Sequence, residues 1–179
     1  MQAAPPRPEM IVLGIDPGTA TTGYAVVADP GNGQLRLIEH GAIRSKAKED
    51  HGVRLRRIYL GIAEVVGRHG PAELAIEKLF FSRNTTSALA VGEARGVAIL
   101  AAAQLELPVR EYSPAEVKQS VAHYGNARKE QIQEMVRILL GLPAVLQPDD
   151  AADAAAVAIC HLHTRRGERL LRVVSTAAP

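Results

Sequence analysis

Met10-Ile-Val-Leu-Gly-Ile-Asp16 decides the fold, because this stretch is continuously apolar and ends in a carboxylate. A short apolar run rich in β-branched residues is typical of a strand buried on both faces of a sheet. Pro17 cannot donate to a strand ladder and Gly18 allows a sharp turn, so the strand should stop directly after Asp16. Ligand sites in α/β folds lie at the carboxyl ends of strands. Asp16 is therefore a candidate site residue, although Asp-Pro-Gly is also common in ordinary turns.

The pattern after Asp16 predicts an α/β protein with a mixed sheet and helices on both of its faces. The first three strands form an antiparallel meander, and helices and strands then alternate. Ser113-Pro-Ala-Glu116 carries the signature of a capping box at a helix start, and Asn126 is expected to cap the next helix. The predicted elements after the first strand are strands 22–28 and 34–44, helix 53–69, strand 73–77, helix 86–105, strand 108–112, and three helices, the last from Asp149 or Asp150 through His163.

Length and composition indicate one globular domain. A chain of 179 residues with 47% apolar and 22% charged residues fits one domain with a sizeable core. We expect a single domain at residues 10–165 with flexible ends at 1–9 and 166–179. The sequence shows neither a signal-peptide core nor an uncharged apolar stretch of membrane-spanning length, so we expect a cytoplasmic protein without membrane contact. The single cysteine, Cys160, cannot form an intrachain disulfide.

Three further acidic residues, Glu77, Asp150 and Asp153, complete a candidate metal site with Asp16. Glu77 ends an apolar strand, where burial without a partner costs several kcal/mol. Asp150 and Asp153 share one helix face, and the alanines around them let that helix approach the sheet closely. Two strand-end carboxylates and a helical pair suit a two-Mg²⁺ site that cleaves phosphodiesters. The alternative for Glu77 is a strand-end side chain that reaches solvent. The alternative for Asp150 and Asp153 is a stabilising interaction with the dipole at the N-terminus of the helix.

The basic residues are clustered, although the net charge is only +2. A group of carboxylates offsets positive charge, so a small net charge does not exclude a nucleic-acid partner. For any single arginine, a solvated surface position is the ordinary interpretation. The clusters are Arg44 with Lys46 and Lys48, Arg54 with Arg56 and Arg57, Lys118, Arg128 with Lys129, and Arg165 with Arg166.

Two features of residues 80–96 bear on contacts with other molecules. Phe80 and Phe81 are the only phenylalanines and follow Glu77 closely, so one of them can stack on bases, with core packing as the alternative. Gly92 and Gly96 are four residues apart on a nearly uncharged helix and permit close helix contact, either internally or across a dimer.

Taken in chain order, these motifs resemble the bacterial RuvC family of Holliday-junction resolvases. The resemblance runs from about Met10 to His163 and rests on Ile11-Val-Leu-Gly-Ile-Asp16-Pro-Gly-Thr with Thr22-Gly-Tyr, Ala75-Ile-Glu77 with Phe80-Phe, Ala94-Arg-Gly-Val-Ala, Val117-Lys-Gln and Asp150-Ala-Ala-Asp153-Ala. It implies an RNase H-like fold with a mixed five-stranded sheet flanked by helices. It also implies a homodimer that makes paired nicks at a four-way DNA junction, leaving 5′-phosphate and 3′-hydroxyl ends. The partners implied are the branch-migration proteins RuvA and RuvB.

The resemblance also implies roles for individual residues. The catalytic and metal-binding positions that match the family are Asp16, Glu77, Asp150 and Asp153, which would hold Mg²⁺ or Mn²⁺, two ions per active site. Some relatives carry His at the position of Asp150. The DNA-binding positions that match are Phe80, Lys118 and Lys129, to which the basic cluster adds Arg128.

Three alternatives stay open at this point. Gly14–Thr22 also resembles the phosphate loop of sugar kinases and actin-like proteins, but those proteins need a second domain that 179 residues do not accommodate. A second alternative is an RNase H-like nuclease that acts on another substrate. The third is a relative that binds branched DNA without cleaving it, although such a protein would not need four carboxylates.

Overall fold

A computed structural model describes residues 9–46, 48–79 and 85–177, and within these ranges it contains five strands and five helices. None of these helices combines the length and apolarity needed to cross a membrane. Their bounds are β1 Met10–Asp16, β2 Thr21–Asp29, β3 Arg36–Arg44, α1 His51–His69, β4 Glu73–Glu77, α2 Thr85–Gln104, β5 Val109–Tyr112, α3 Pro114–Ala122, α4 Lys129–Leu139 and α5 Asp149–Ala177.

The strands form one sheet in the order β3-β2-β1-β4-β5. β1 pairs antiparallel with β2, and β2 with β3, whereas β1–β4 and β4–β5 are parallel pairs. The predicted mixed five-stranded sheet is thus confirmed. Because β1 is the central strand and runs parallel to β4, its carboxyl end lies at the same sheet edge as the end of β4.

Alternate residues of β1 face two separate cores. Val12 packs into the core between the sheet and helices α3, α4 and α5. Leu13 and Ile15 pack into the core between the sheet and helices α1 and α2. This alternation follows from the two-residue period of a strand, and it directs Gly14 and Asp16 to the α5 side.

Helix α5 lies directly on the backbone of β1 and β2 because glycines stand beneath it. A Cβ added at Gly14 would lie 2.1 Å from the carbonyl oxygen of Ala154, and one at Gly23 would lie 2.0 Å from that of Asp150. On the helix side, Ala154 and Ala158 are completely buried. The predicted close approach of the alanine-rich helix is confirmed, and the strand glycines are what permit it.

The clearest differences between the predicted and the observed helices concern the end of α5 and the N-cap of α4. α5 continues to Ala177 rather than ending at His163, and Arg166 on this extension pairs with buried Asp29 at 2.7 Å. Periodicity in the sequence does not reveal such a long-range ion pair. Asn126 does not cap α4, which has Arg128 at its N-cap position. The mobility of residues 166–179 stays a prediction.

Gly14→Ala tests the close packing of α5 on the sheet. The added methyl group would overlap a helix carbonyl, so we expect the free energy of unfolding to fall by about 1–3 kcal/mol or more. For a chain of this size, each kcal/mol lowers Tm by about 2–4 °C in thermal melts followed by circular dichroism. Gly67→Ala is the matched control, since a Cβ there meets open space on a helix and should stabilise by roughly 0.5–1 kcal/mol. Equal Tm values for the two variants would contradict the packing argument.

Candidate active site

A cleft opens where β1 and β4 end, and three of the four predicted carboxylates line it. Asp16, Glu77 and Asp153 share this cleft with the side chains of Lys118 and Lys129. The parallel register places Ile15 beside Ile76, so the residues that follow, Asp16 and Glu77, are neighbours across the ladder. Both lie on the α5 side of the sheet, and α5 brings Asp153 to them.

Hydrogen bonds hold the two strand ends that carry these carboxylates. The buried hydroxyl of Thr22 donates to the carbonyl of Gly18 at 2.7 Å and braces the turn after Asp16. Arg95 Nε donates to the carbonyl of Glu77 at 3.2 Å. These contacts place Asp16 and Glu77 on fixed backbone, as a preorganised site requires.

A second contact between α5 and β4 fixes the position of Asp153 along the sheet. His161 is completely buried, its Nδ1 lies 2.6 Å from the Tyr112 hydroxyl, and its Nε2 lies 2.9 Å from Oε2 of Glu73. The last contact is an ion-pair distance without the alignment of a regular hydrogen bond. From Asp153 to His161 the helix rises about 12 Å, and from Glu73 to Glu77 the strand spans about 13 Å. These matched lengths set Asp153 opposite Glu77 when His161 meets Glu73.

The carboxylates of the cleft repel one another and are partly removed from water. Burial raises the pKa of Asp16 from 3.8 to about 7, and the negative charges of Asp153, Glu77 and Asp150 add to this rise. Burial also raises the pKa of Glu77 and of Asp153. The ionised form is thus disfavoured in three neighbouring carboxyl groups, so the cleft has a strong negative potential. Clusters of perturbed pKa values of this kind are typical of functional sites.

Among the described residues, Lys129 is the cation that lies closest to the carboxylates of the cleft. Its Nζ is 3.0 Å from Oδ2 of Asp153 and 3.4 Å from Oδ2 of Asp149. The hydrogen bond to Asp153 raises the pKa of Lys129. Lys129 of α4 therefore forms an ion pair with Asp153 of α5. The expected role of Lys129 in DNA binding did not predict this contact.

The donor set of the cleft fits a hard divalent cation. Carboxylate oxygens are the ligands that Mg²⁺ and Mn²⁺ prefer, and their mutual repulsion favours binding of a positive ion. In the parts of the chain that the structure describes, no three Asp, Glu, His or Cys side chains enclose a single ion. The chemistry of the site is thus suitable for metal ions, while ligation would require a rearrangement of these side chains.

The other predicted site residues lie around the cleft. Asp150 lies over Gly23 in the first turn of α5 and adds to the electrostatics of Asp16, but it does not line the cleft. Arg128 is exposed at the start of α4. Phe80 lies outside the described residues. The roles of Gly14 and Gly23 were missed, although a glycine inside a strand pattern signals close backbone approach.

The sheet order and the carboxylates at one sheet edge define an RNase H-like fold with an acidic cleft. The solved structure titled "T. thermophilus RuvC in complex with Holliday junction substrate" matches with a TM-score of 0.84 and 38% identity, covering 89% of this chain and 96% of that one. The yeast mitochondrial Holliday junction resolvase has a TM-score of 0.61 at 15% identity over 89% of this chain and 82% of its own, a likeness of fold alone.

Sequence comparison gives the family. Residues 12–161 match the family described as "Crossover junction endodeoxyribonuclease RuvC". The protein of that name from Pelotomaculum thermopropionicum is 50% identical over 164 residues, 92% of this chain and 99% of the relative. The one from Moorella thermoacetica is 55% identical over 152 residues, 85% of this chain and 90% of the relative. The chain belongs to the RuvC family of crossover junction endodeoxyribonucleases.

The raised pKa of Asp16 predicts how stability depends on pH without divalent cations. Between pH 4 and pH 7 the folded protein holds a proton on Asp16 that the unfolded chain releases, so this contribution to stability is lost as pH rises through about 7. Binding of Mg²⁺ to the ionised carboxylates would raise Tm more at pH 8 than at pH 6.

Thermal melts of the wild type and of Asp16→Asn, with and without Mg²⁺ from pH 5 to pH 8, measure this effect. The variant removes the titrating group and leaves the histidines unchanged, so the difference between the two proteins reports Asp16 together with its charge coupling to Glu77 and Asp153. A Tm increase with Mg²⁺ that is the same at every pH would contradict the prediction.

Proposed function

We propose that this chain is a metal-dependent, structure-selective endonuclease that resolves four-way DNA junctions by paired nicks, in recombination and repair in the cytoplasm. The observation that carries the proposal is the cleft in which Asp16 and Glu77, on adjacent strand ends, meet Asp153 of α5 between two lysines. Family membership supports the substrate, because a relative that is 38% identical was solved in complex with a Holliday junction.

Asp16, Glu77 and Asp153 would hold the metal ions, with Asp150 contributing negative charge from the first turn of α5. We propose two ions of Mg²⁺ or Mn²⁺ per site. When bound, such ions supply the positive charge that makes water nucleophilic near neutral pH and stabilises the leaving oxygen. The carboxylates must be ionised to bind, so loss of the Asp16 proton is part of metal loading. In-line hydrolysis would leave 5′-phosphate and 3′-hydroxyl ends.

The basic residues of α3 and α4 would hold the DNA backbone at the cleft. Lys118 and Lys129 line the cleft, and Arg128 precedes Lys129 at the start of α4. Contacts of this kind fix the position of a strand and make affinity depend on salt. A base contact by Phe80 at the crossover is proposed on family resemblance alone.

We propose a homodimer formed through α2. Leu89 and Leu100 on this helix are 66% and 52% exposed, and a Cβ at Gly96 would meet no atom of the described residues. These three positions recur at helical spacing and form an exposed stripe with an open glycine between two leucines, a face that also carries Glu93, which pairs with His51 at 2.9 Å. A two-fold axis there would present two clefts to the near-symmetric junction. RuvA and RuvB are the partner proteins that we propose from family membership.

Asp16→Asn tests the proposed chemistry. We expect it to keep junction binding, since the electrostatic repulsion of phosphates falls, and to lose cleavage by about 10³-fold, the effect of several kcal/mol. Gel-shift affinity and nicking of a synthetic four-way junction in Mg²⁺ measure the two properties side by side. Glu64→Gln, at an exposed position of α1, is the control and should leave both unchanged. Normal cutting by Asp16→Asn would end the proposal.

The same assay separates the alternatives. Wild-type protein should cut a four-way junction in preference to linear duplex and RNA–DNA hybrid of equal length. Equal cutting of all three would favour a general RNase H-like nuclease, and binding without any cutting in Mg²⁺ or Mn²⁺ would favour a non-cleaving relative.

Leu100→Glu tests the proposed dimer contact. A charge in an apolar interface remains desolvated and unpaired, so we expect the variant to be mainly monomeric at concentrations where the wild type is dimeric. Size-exclusion chromatography with light scattering measures the mass. Leu171→Glu is the matched control, because Leu171 is 72% exposed on α5 and lies outside the stripe. If Leu171→Glu lowers the measured mass and Leu100→Glu does not, the dimer contact lies elsewhere on the protein.

A further inference from the structure

The segment from residue 44 to residue 57 carries more positive charge than the chain as a whole. It holds six basic and two acidic residues, whereas the net charge of the entire chain is only +2. Arginines in other parts of the molecule contact carboxylates: Arg166 pairs with Asp29 at 2.7 Å, and Arg137 with Glu134 at 2.7 Å. Arg54, in the first turns of α1, is held differently.

The guanidinium of Arg54 is fixed by neutral groups. Its Nε donates to the hydroxyl of Ser45 at 3.0 Å, and its Nη2 lies 3.3 Å from the hydroxyl of Thr19. The Ser45 hydroxyl in turn donates to the carbonyl of Thr19 at 2.6 Å. A guanidinium has five N–H donors, so most remain available after these two bonds. The side chain is therefore held in place while its charge is left without a counter-ion among the described residues.

The two acidic residues of the segment are engaged elsewhere. Glu49 accepts from the backbone N–H of Lys46 at 2.8 Å and pairs with Arg57. Asp50 caps α1 by accepting from the N–H of Gly52 at 2.9 Å. Each carboxylate thus satisfies a local contact, and neither acidic residue of the segment is a counter-ion for Arg54.

Arg54 lies at the same sheet edge as the acidic cleft. Its partner Thr19 is three residues from Asp16, within about 11 Å along the backbone. The N–H of Ser45 bonds the carbonyl of Ala20 at 3.1 Å, so the segment after β3 is tied to the turn after β1. Lys118 and Lys129 line the cleft from α3 and α4, which pack on the opposite face of the sheet from α1.

We propose that Arg54, flanked by Arg44 and Lys46, binds a backbone phosphate of the DNA on the β3 side of the cleft. This inference rests on the proposed function. The planar guanidinium matches two phosphate oxygens, and its fixed pose reduces the entropy lost on binding. Because Thr19, which contacts Arg54, is within about 11 Å of Asp16 along the backbone, this phosphate would lie within a few nucleotides of the scissile one. The strand would then be held on both flanks of the carboxylates.

The test is the salt dependence of binding to a synthetic four-way junction, in Ca²⁺ so that cleavage does not interfere. Loss of one phosphate contact lowers the slope of log affinity against log salt by about 0.9, which corresponds to about eightfold weaker binding at 0.1 M salt. We expect this change for Arg54→Gln. Arg54→Lys keeps the charge and should retain most of the slope. Arg56→Gln, an exposed neighbour on α1, is the control and should match the wild type.

The outcomes separate this inference from the proposed function. If the wild type binds the junction and Lys118→Ala flattens the slope while Arg54→Gln does not, the phosphate site at Arg54 is wrong and the proposed function stands. If Arg54→Lys loses as much slope as Arg54→Gln, Arg54 only braces the turn and the inference is overturned. If the wild type neither binds nor cuts junctions, the proposed function itself fails.

Discussion

The contact of α5 with the bare backbone of β1 and β2 is the constraint on which the site depends. Gly14 and Gly23 leave no side chain between strand and helix, and the helix presents alanines at the same level. A helix held this close has its first turns within reach of the strand ends. The acidic residues of α5 and of the strands are therefore brought together by packing of small residues, and any larger group at those positions would separate them.

This packing holds the carboxylates together against their own repulsion. The raised pKa of Asp16, Glu77 and Asp153 expresses the free energy that burial and like charges cost. Further along the same helix, buried His161 contacts Glu73 of β4 and fixes the axial position of α5. Stabilising contacts outside the cleft thus offset the free energy that the clustered carboxylates cost. Such a loss of stability at a functional site is common in proteins.

Positive charge is arranged around the cleft rather than accumulated in the chain as a whole. Lys129 already pairs with Asp153 at 3.0 Å, whereas Arg54 is held by hydroxyl groups and has no acidic partner among the described residues. The two cations would therefore bind a phosphate differently. Lys129 would exchange Asp153 for the phosphate, whereas Arg54 would gain its first anionic partner. A net charge of +2 conceals both, since the acidic site cancels the basic residues that surround it.

The sequence by itself determined the order of strands and helices, the strand that ends at Asp16, the capping box at Ser113 and the family, because periodicity, turn chemistry and motif spacing are local properties. It also indicated that four carboxylates, Asp16, Glu77, Asp150 and Asp153, belong to one candidate metal site. Only the tertiary structure decided that Asp153 lines the cleft while Asp150 lies over Gly23, that Lys129 crosses to Asp153, and that α5 extends to Ala177. Those outcomes depend on which residues from distant parts of the chain come into contact, and no local pattern records such distances.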